Sequence, residues 1–157
     1  MTTHWSADAG PTFRVWDART GAELLVTKGV MEGLGGIAAA FSPDGSRVVT
    51  YGEETRVWDA RTGAELLAFK GHRGGIWSAS FSPDGSRIVT HGSDNTVRVW
   101  DAASGVEVMT LKGHTSNLTS SAFSPDGAWI ITADQGGTVR LWGVRPPATA
   151  PPLQQAK

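Results

Sequence analysis

Residues 81–101 read Phe-Ser-Pro-Asp-Gly-Ser-Arg-Ile-Val-Thr-His-Gly-Ser-Asp-Asn-Thr-Val-Arg-Val-Trp-Asp. Ser82-Pro83-Asp84-Gly85 predicts a turn, because Pro presets φ at its second position and Gly accepts the left-handed region. Ser86 to Thr90 carries Ile88 and Val89 and reads as a strand. Gly92-Ser93-Asp94-Asn95 predicts a second turn. Thr96 to Trp100 then alternates strictly, with Val97 and Val99 on one face and Thr96, Arg98 and Trp100 on the other. Ile76 to Phe81 precedes this stretch as a strand. Val106 to Leu111 follows it, after a turn at Ala103-Ser104-Gly105. Four short strands joined by tight turns predict an antiparallel meander. Both faces of the sheet carry bulky side chains, Val on one and Trp on the other. A sheet of this kind must be covered on both sides.

The unit is copied. Trp16, Trp58, Trp100 and Trp142 lie 42 residues apart, and Asp follows three of them, as Asp17, Asp59 and Asp101. Residues 14–29 and 56–71 agree at 14 of 16 positions. A fixed period of this length means one small module that cannot bury its own apolar surface alone. Radial stacking of such sheets covers both faces and predicts an all-β propeller segment of four four-stranded blades. Its boundaries are expected at 1–28 for a partial first blade, then 29–70, 71–112 and 113–145, with a Pro-rich tail over 146–157.

Phe-Ser-Pro-Asp-Gly recurs at Phe41, Phe81 and Phe123 with unequal intervals of 40 and 42. Two extra residues fall in 31–36, and the turn at Tyr51-Gly52-Glu53-Glu54 is two shorter than its counterpart. Insertions and deletions confined to loops leave the strand frame intact. The terminal units are expected to be incomplete. Counting back from Trp16 puts residues 2–6 at the second-strand position, with Ser6 aligned to Thr90. Counting on from Trp142 puts residues 148–153 at the fourth-strand position, where Pro151 and Pro152 suit only an outer edge.

Composition narrows the function. The 157 residues carry 14 basic and 15 acidic side chains, a net charge of −1, and no cysteine. No concentrated positive field is present for nucleic acid. No apolar run has the length to span a membrane, and no basic amphipathic helix suits its surface. The first residues show neither a charged leader nor an apolar block, so a cytoplasmic location is the expectation. Thiolate chemistry and disulfides are excluded.

Gly-His, Phe-Ser-Pro-Asp-Gly, Gly-Ser-Asp-Asn-Thr and Trp-Asp follow in order at repeat spacing, and in this the chain resembles the WD-repeat β-propeller family over roughly residues 2 to 145. The resemblance implies rings of seven or eight blades, so four blades make half of an eight-bladed ring. It also implies a structural tetrad of His, Ser or Thr, Asp and Trp. The third unit carries one whole, as His72, Thr90, Asp94 and Trp100. The fourth has His114, Thr132 and Trp142, but Gly136 stands where Asp belongs, with Asp134 as the alternative acceptor. The second has Val30 in place of His, with Glu53 or Glu54 near the Asp position. Both of these units are therefore expected to be less rigidly tied at that corner. By the same resemblance, loops on the narrower top face supply candidate binding residues. They are Arg73, Trp77, His91 and Ser93 in one unit, Tyr51, Glu53 and Glu54 in the one before it, and Asn117, Thr119 and Gln135 in the one after. Trp77 stands where the other units have Ile37 and Thr119, and reads equally as a contact anchor or a gap filler.

Sharper chemistry finds little support. His beside Asp and Thr suggests catalysis, but groups stamped out once per unit serve the framework. His4, His72, His91 and His114 lack tight metal-ligand spacing. Asp44, Asp84 and Asp126 each sit in a Pro-Asp-Gly turn without the clustered oxygens calcium requires. The glycine-rich stretch at residues 33–36 lacks the lysine of a phosphate loop. Arg14, Arg56, Arg98 and Arg140 are expected to pack along their own blades. The reading is a non-catalytic protein-interaction scaffold without metal or cofactor, whose partners are a second copy of itself and a protein or peptide. The alternative is a duplicated or engineered propeller fragment with no independent role. A small-molecule, sugar-binding or hydrolytic propeller ranks last.

Overall fold

The computed structural model describes residues 2–4, 12–28 and 38–144. Among them, fourteen strands form four antiparallel sheets. The first sheet holds β1 (Thr2–His4), β2 (Thr12–Trp16) and β3 (Glu23–Lys28). The second holds β4 (Ala38–Phe41), β5 (Arg47–Tyr51), β6 (Thr55–Asp59) and β7 (Glu65–Phe69). The third holds β8 (Ile76–Phe81), β9 (Arg87–Gly92), β10 (Val97–Asp101) and β11 (Glu107–Leu111). The fourth holds β12 (Leu118–Phe123), β13 (Trp129–Asp134) and β14 (Val139–Gly143). Each is a simple meander of hairpin neighbours, as expected of propeller blades. Residues 29–37, with Val30, Ile37 and the glycine-rich insertion, lie outside the described residues. So do Ser6 and the tail from Arg145.

The repeated Trp-Asp dipeptide has a local cause. The Asp59 carboxylate accepts the backbone N–H groups of Arg61 and Thr62, at 3.0 and 2.7 Å. Asp17 and Asp101 do the same for their turns. These bonds close the third hairpin, and Gly63 supplies the positive φ that the turn requires. The Pro-Asp-Gly turn closes the first hairpin in the same way. Ser42 Oγ donates to Asp44, and Ser82 Oγ to Asp84, both at 2.6 Å. Those hydroxyls, with the donors of Ser46 and Ser86, hold both carboxyls at about 2.

Alternation along β9 and β10 gives every sheet two different flanks. Ile88 and Trp100 are cross-strand partners and face the preceding sheet, where Trp100 stacks on Phe69 with ring centroids 5.2 Å apart. Val89 and Val99 are partners and face the following sheet, packing with Leu118, Ile130 and Val144. The same rule joins the second sheet to the first, through Trp58, Val48 and Val15. The core is therefore a series of layers between sheets, none of which one sheet could build alone.

Arginine adds a polar link between layers. Arg47 Nη1 and Nη2 donate to the carbonyls of Ala102 and Gly85 in the next sheet, at 2.8 and 2.7 Å. Arg87, the matching residue, donates to the Val144 carbonyl at 2.6 Å. In the fourth sheet the matching residue is Trp129. The other recurring arginines stay within their own sheets. Arg14, Arg56 and Arg98 pair with Glu23, Glu65 and Glu107 at 2.5–2.7 Å. Arg140 donates to the Gly113 carbonyl instead.

One register differs from the sequence expectation. Thr90 pairs with Arg98, but the residue opposite Arg14 is Thr2, not Ser6. The connection between β1 and β2 is four residues longer than the turn it was aligned with, so a fixed count from Trp16 overshoots.

Arg47→Met keeps the stem but leaves two carbonyls of the next sheet without a donor. Urea unfolding at fixed protein concentration should show a loss of about 2 kcal/mol. A midpoint unchanged from the parent would mean the link contributes nothing.

Candidate functional site

His72, Thr90, Asp94 and Trp100 form one continuous chain of hydrogen bonds. The Trp100 indole donates to Thr90 Oγ1 at 2.9 Å. Thr90 Oγ1 lies 2.8 Å from His72 Nε2, and His72 Nδ1 lies 3.0 Å from the Asp94 carboxylate. Every donor finds an acceptor if imidazole is neutral with its proton on Nδ1. Burial favours that state by pushing the His72 pKa down, against the pull of Asp94. Burial raises the Asp94 carboxyl, but the backbone N–H of Arg73, His72 and Thr96 outweigh it and hold the group at about 2. The Thr90 hydroxyl is fully buried and spent on two partners. A substrate has no path to it, so the chain ties strands together.

The fourth sheet corrects the expectation of a loosened corner. His114 Nδ1 lies 2.6 Å from the Asp134 carboxylate, its Nε2 lies 2.7 Å from Thr132 Oγ1, and the Trp142 indole donates to Thr132 at 2.9 Å. Asp134 ends β13 at the position of Gly92 in the third sheet, two residues before the position of Asp94. A Cβ at Gly92 would lie 3.2 Å from His72 Nδ1, so a side chain there already points at the imidazole. A Cβ at Gly136 would lie 3.2 Å from Asp134 Oδ1. Glycine and aspartate have exchanged places and the carboxylate reaches the same imidazole. The His114 bond is the main cause that lowers the Asp134 carboxyl. In the second sheet, Trp58 still donates to Thr50 at 2.9 Å. Glu54 is drawn off by Arg56 at 2.8 Å.

The candidate contact residues separate into groups. Tyr51, Glu53 and Trp77 line one cleft of about 500 Å³ between the second and third sheets, with Ala38, Gly52, Gly75 and Ile76. Its base is tied by the Ile76 N–H to the Gly52 carbonyl. Trp77 sits on a β-bulge, since Ile76 pairs with Gly92 and Ser78 with His91, leaving Trp77 without a partner residue. The bulge turns the indole outward, 45% exposed. Thr119 occupies the matching bulge of the fourth sheet. Arg73, Ser93, Asn117, Thr119 and Gln135 are exposed but do not line the cleft. His91 is the correction here. It is 2% exposed, and its Nδ1 lies 2.8 Å from Ser121 Oγ in the next sheet, so it joins sheets and cannot meet a partner. Burial, with the His72 imidazole nearby, pushes it down to about 4. Sequence reasoning left Asp134 open as the alternative acceptor, and missed only that glycine and aspartate exchange positions. It also missed the Arg47 and Arg87 links, although their periodic placement was there to be read. Among the described residues no three His, Asp or Glu converge to hold a metal.

Stacked meanders of three or four strands with a repeated Trp–Thr–His–Asp tie define a propeller of repeated blades. The family model for WD domain, G-beta repeat matches residues 63–101 and 105–143, and the chain is a WD-repeat protein. Each matched repeat takes the fourth strand of one sheet and the first three of the next. WD repeats in general build protein-interaction scaffolds. The chain is similar to the crystal structure of the computationally designed Ika4 protein, at 28% identity over 91% of this chain and 84% of that one, with a TM-score of 0.75. No curated protein matches it.

Asp134→Gly should lower the melting midpoint by about 5 °C, by stranding a buried imidazole. Adding Gly136→Asp to that variant restores the arrangement of the third sheet and should recover most of the loss. No recovery would show that the two sites are not interchangeable.

His91 binds its proton near pH 4 when folded and near 6.5 when unfolded. The unfolded chain therefore takes up more protons between those values, and stability falls as pH falls through that window. From pH 7 to pH 5 the His91 share is about 2 kcal/mol. In His91→Ala, which copies Ala133 of the fourth sheet, the fall should shrink by about that amount. An equal fall in both proteins would assign the pH response elsewhere.

Proposed function

We propose that this chain is a non-catalytic interaction scaffold, half of an eight-bladed ring that two copies complete head to tail. One observation carries the reading. Val89, Val97 and Val99 are 0–1% exposed beneath the fourth sheet, while their counterparts Ile131, Val139 and Leu141 are 48–63% exposed on the far side of that sheet. Trp129, in place of the linking arginine, adds a fourth apolar side chain at 46%. Roughly 400 Å² of apolar surface on these four residues corresponds to ~10 kcal/mol at about 25 cal/mol per Å². That is comparable to the stability of a whole domain, and patches of this kind are uncommon on monomers.

The opposite end carries the complementary flank. Trp16 is 38% exposed, whereas Trp58 and Trp100 are 4% and 3% exposed against the sheets before them. Within the chain, Trp flanks and Val flanks meet at each internal layer. The two open ends therefore have the same relation to each other as any neighbouring pair. Such contacts close into a ring when the rotation permits and otherwise extend. With four sheets per chain, two chains make eight, a ring size the family resemblance implies. Loops along the edge carrying Trp77 then supply the partner surface.

The likeness to a computationally designed protein, together with the near-identity of residues 14–29 and 56–71, favours a second reading. In it the chain is a duplicated or designed fragment whose only property is assembly. Retention of a cellular protein or peptide by the assembled ring separates this from the scaffold.

Light scattering on dilute protein should give twice the 16.6 kDa chain mass. Leu141→Glu places an unpaired carboxylate in the seam and should give the single-chain mass or a marked loss of folded protein. A folded parent chain at single mass, or open-ended growth in place of a dimer, would overturn the closed ring.

A further inference from the structure

The cleft between the second and third sheets is lined by departures from the repeat. Tyr51 stands where the other units have His91 and Ala133. Trp77 stands where the fourth sheet has Thr119. Glu53 belongs to a turn two residues shorter than its counterparts. The framework requires neither Trp77 nor Glu53, since the neighbouring sheets fold without them, while Tyr51 both packs against the core and lines the cleft. Yet they meet at one cavity of about 500 Å³. Side chains that break a repeat independently and converge in space are serving something other than the fold.

Their chemistry is specific. Trp77 presents its indole to solvent from a bulge, beside Gly75, where an added Cβ would lie 3.7 Å from Nε1. Tyr51 contributes a second aromatic ring, held by packing against the core between the sheets. The neighbouring acid Glu54 is engaged by Arg56. Glu53 is exposed at the cleft and makes no ion pair with a described residue. Two electron-rich rings and one uncommitted carboxylate suit an organic cation, and guanidinium uses both at once by stacking on rings and donating to carboxylate. We infer that this cleft binds the arginine side chain of a partner peptide. The inference rests on the scaffold reading and adds the chemistry of the segment recognised.

Acetyl-Gly-Arg-Gly-amide serves as the probe, with the citrulline peptide as its uncharged isostere. The indole N–H resonance of Trp77, assigned by its loss in Trp77→Phe, is followed by nitrogen-proton correlation spectra at constant ionic strength. The arginine peptide should shift it saturably, and the citrulline peptide should bind about fivefold more weakly. Glu53→Gln should reduce affinity for the arginine peptide by a similar factor and leave the citrulline titration unchanged. Dispersed amide resonances in that variant confirm that it is folded. Equal shifts with both peptides would overturn the cation and keep a peptide-binding surface. No shift with either would overturn the cleft as a site. The assembled mass is measured separately, so ring closure stands or falls on its own result.

Discussion

A β-sheet with apolar side chains on both faces has no stable arrangement in water by itself. That constraint governs this molecule. The second, third and fourth meanders each set Trp with Val or Ile on one flank and aliphatic side chains alone on the other, so each sheet needs two unlike neighbours. Internal layers satisfy the need, and Val97, Val99 and Ile130 lose all or nearly all contact with solvent there. The repeat can continue without limit but cannot end cleanly, because any last sheet offers the flank its predecessor buried. Val139 and Leu141 are where that consequence is visible.

Polar groups fix what hydrophobic burial leaves loose. Apolar layers tolerate sliding, since one methyl contact replaces another at little cost. Directional bonds do not. The chain from Trp100 through Thr90 and His72 to Asp94 joins two strands and the incoming loop, and it is satisfied in one register only. Arg47 and Arg87 apply the same logic between sheets, with guanidinium donors meeting backbone carbonyls. Buried groups of this sort destabilise any misaligned stack by losing their partners. The glycine–aspartate exchange in the fourth sheet fits this view. The constraint is a carboxylate at the imidazole, and two backbone positions lie close enough to deliver one.

Most of the architecture was legible because period, turn chemistry and alternation all agreed. Trp100 and Asp101 mark a strand end and a turn, and the structure explains both by the bonds the aspartate makes. Equal spacing does not guarantee equal geometry. Counting from Trp16 sets Ser6 opposite Arg14, although a longer connection puts Thr2 there. Gly136 stands where alignment expects the acceptor and Asp134, the alternative, fills the role, because alignment compares positions while hydrogen bonds depend on reach. His91 looked like a loop residue, yet it ends up against Ser121, since the strand end on which it sits is covered by the next sheet. That burial depends on how sheets stack, which no single unit encodes.

Repetition itself separates framework from specificity. A residue present in every unit answers a need every unit has, as the Trp–Thr bond does in the second, third and fourth sheets. A residue present once answers a local need. Trp77 and Trp129 are both single departures, but of opposite kinds. Trp77 replaces a residue on a bulge, where the backbone already aims the side chain at solvent, so the substitution changes the surface and leaves the layers alone. Trp129 replaces an arginine that in other sheets points at the next sheet's carbonyls. It gives up a directional donor where no described sheet follows and puts the largest apolar side chain in its place. At the end of a stack, that exchange gives up the polar link that serves one fixed neighbour and enlarges the exposed apolar flank.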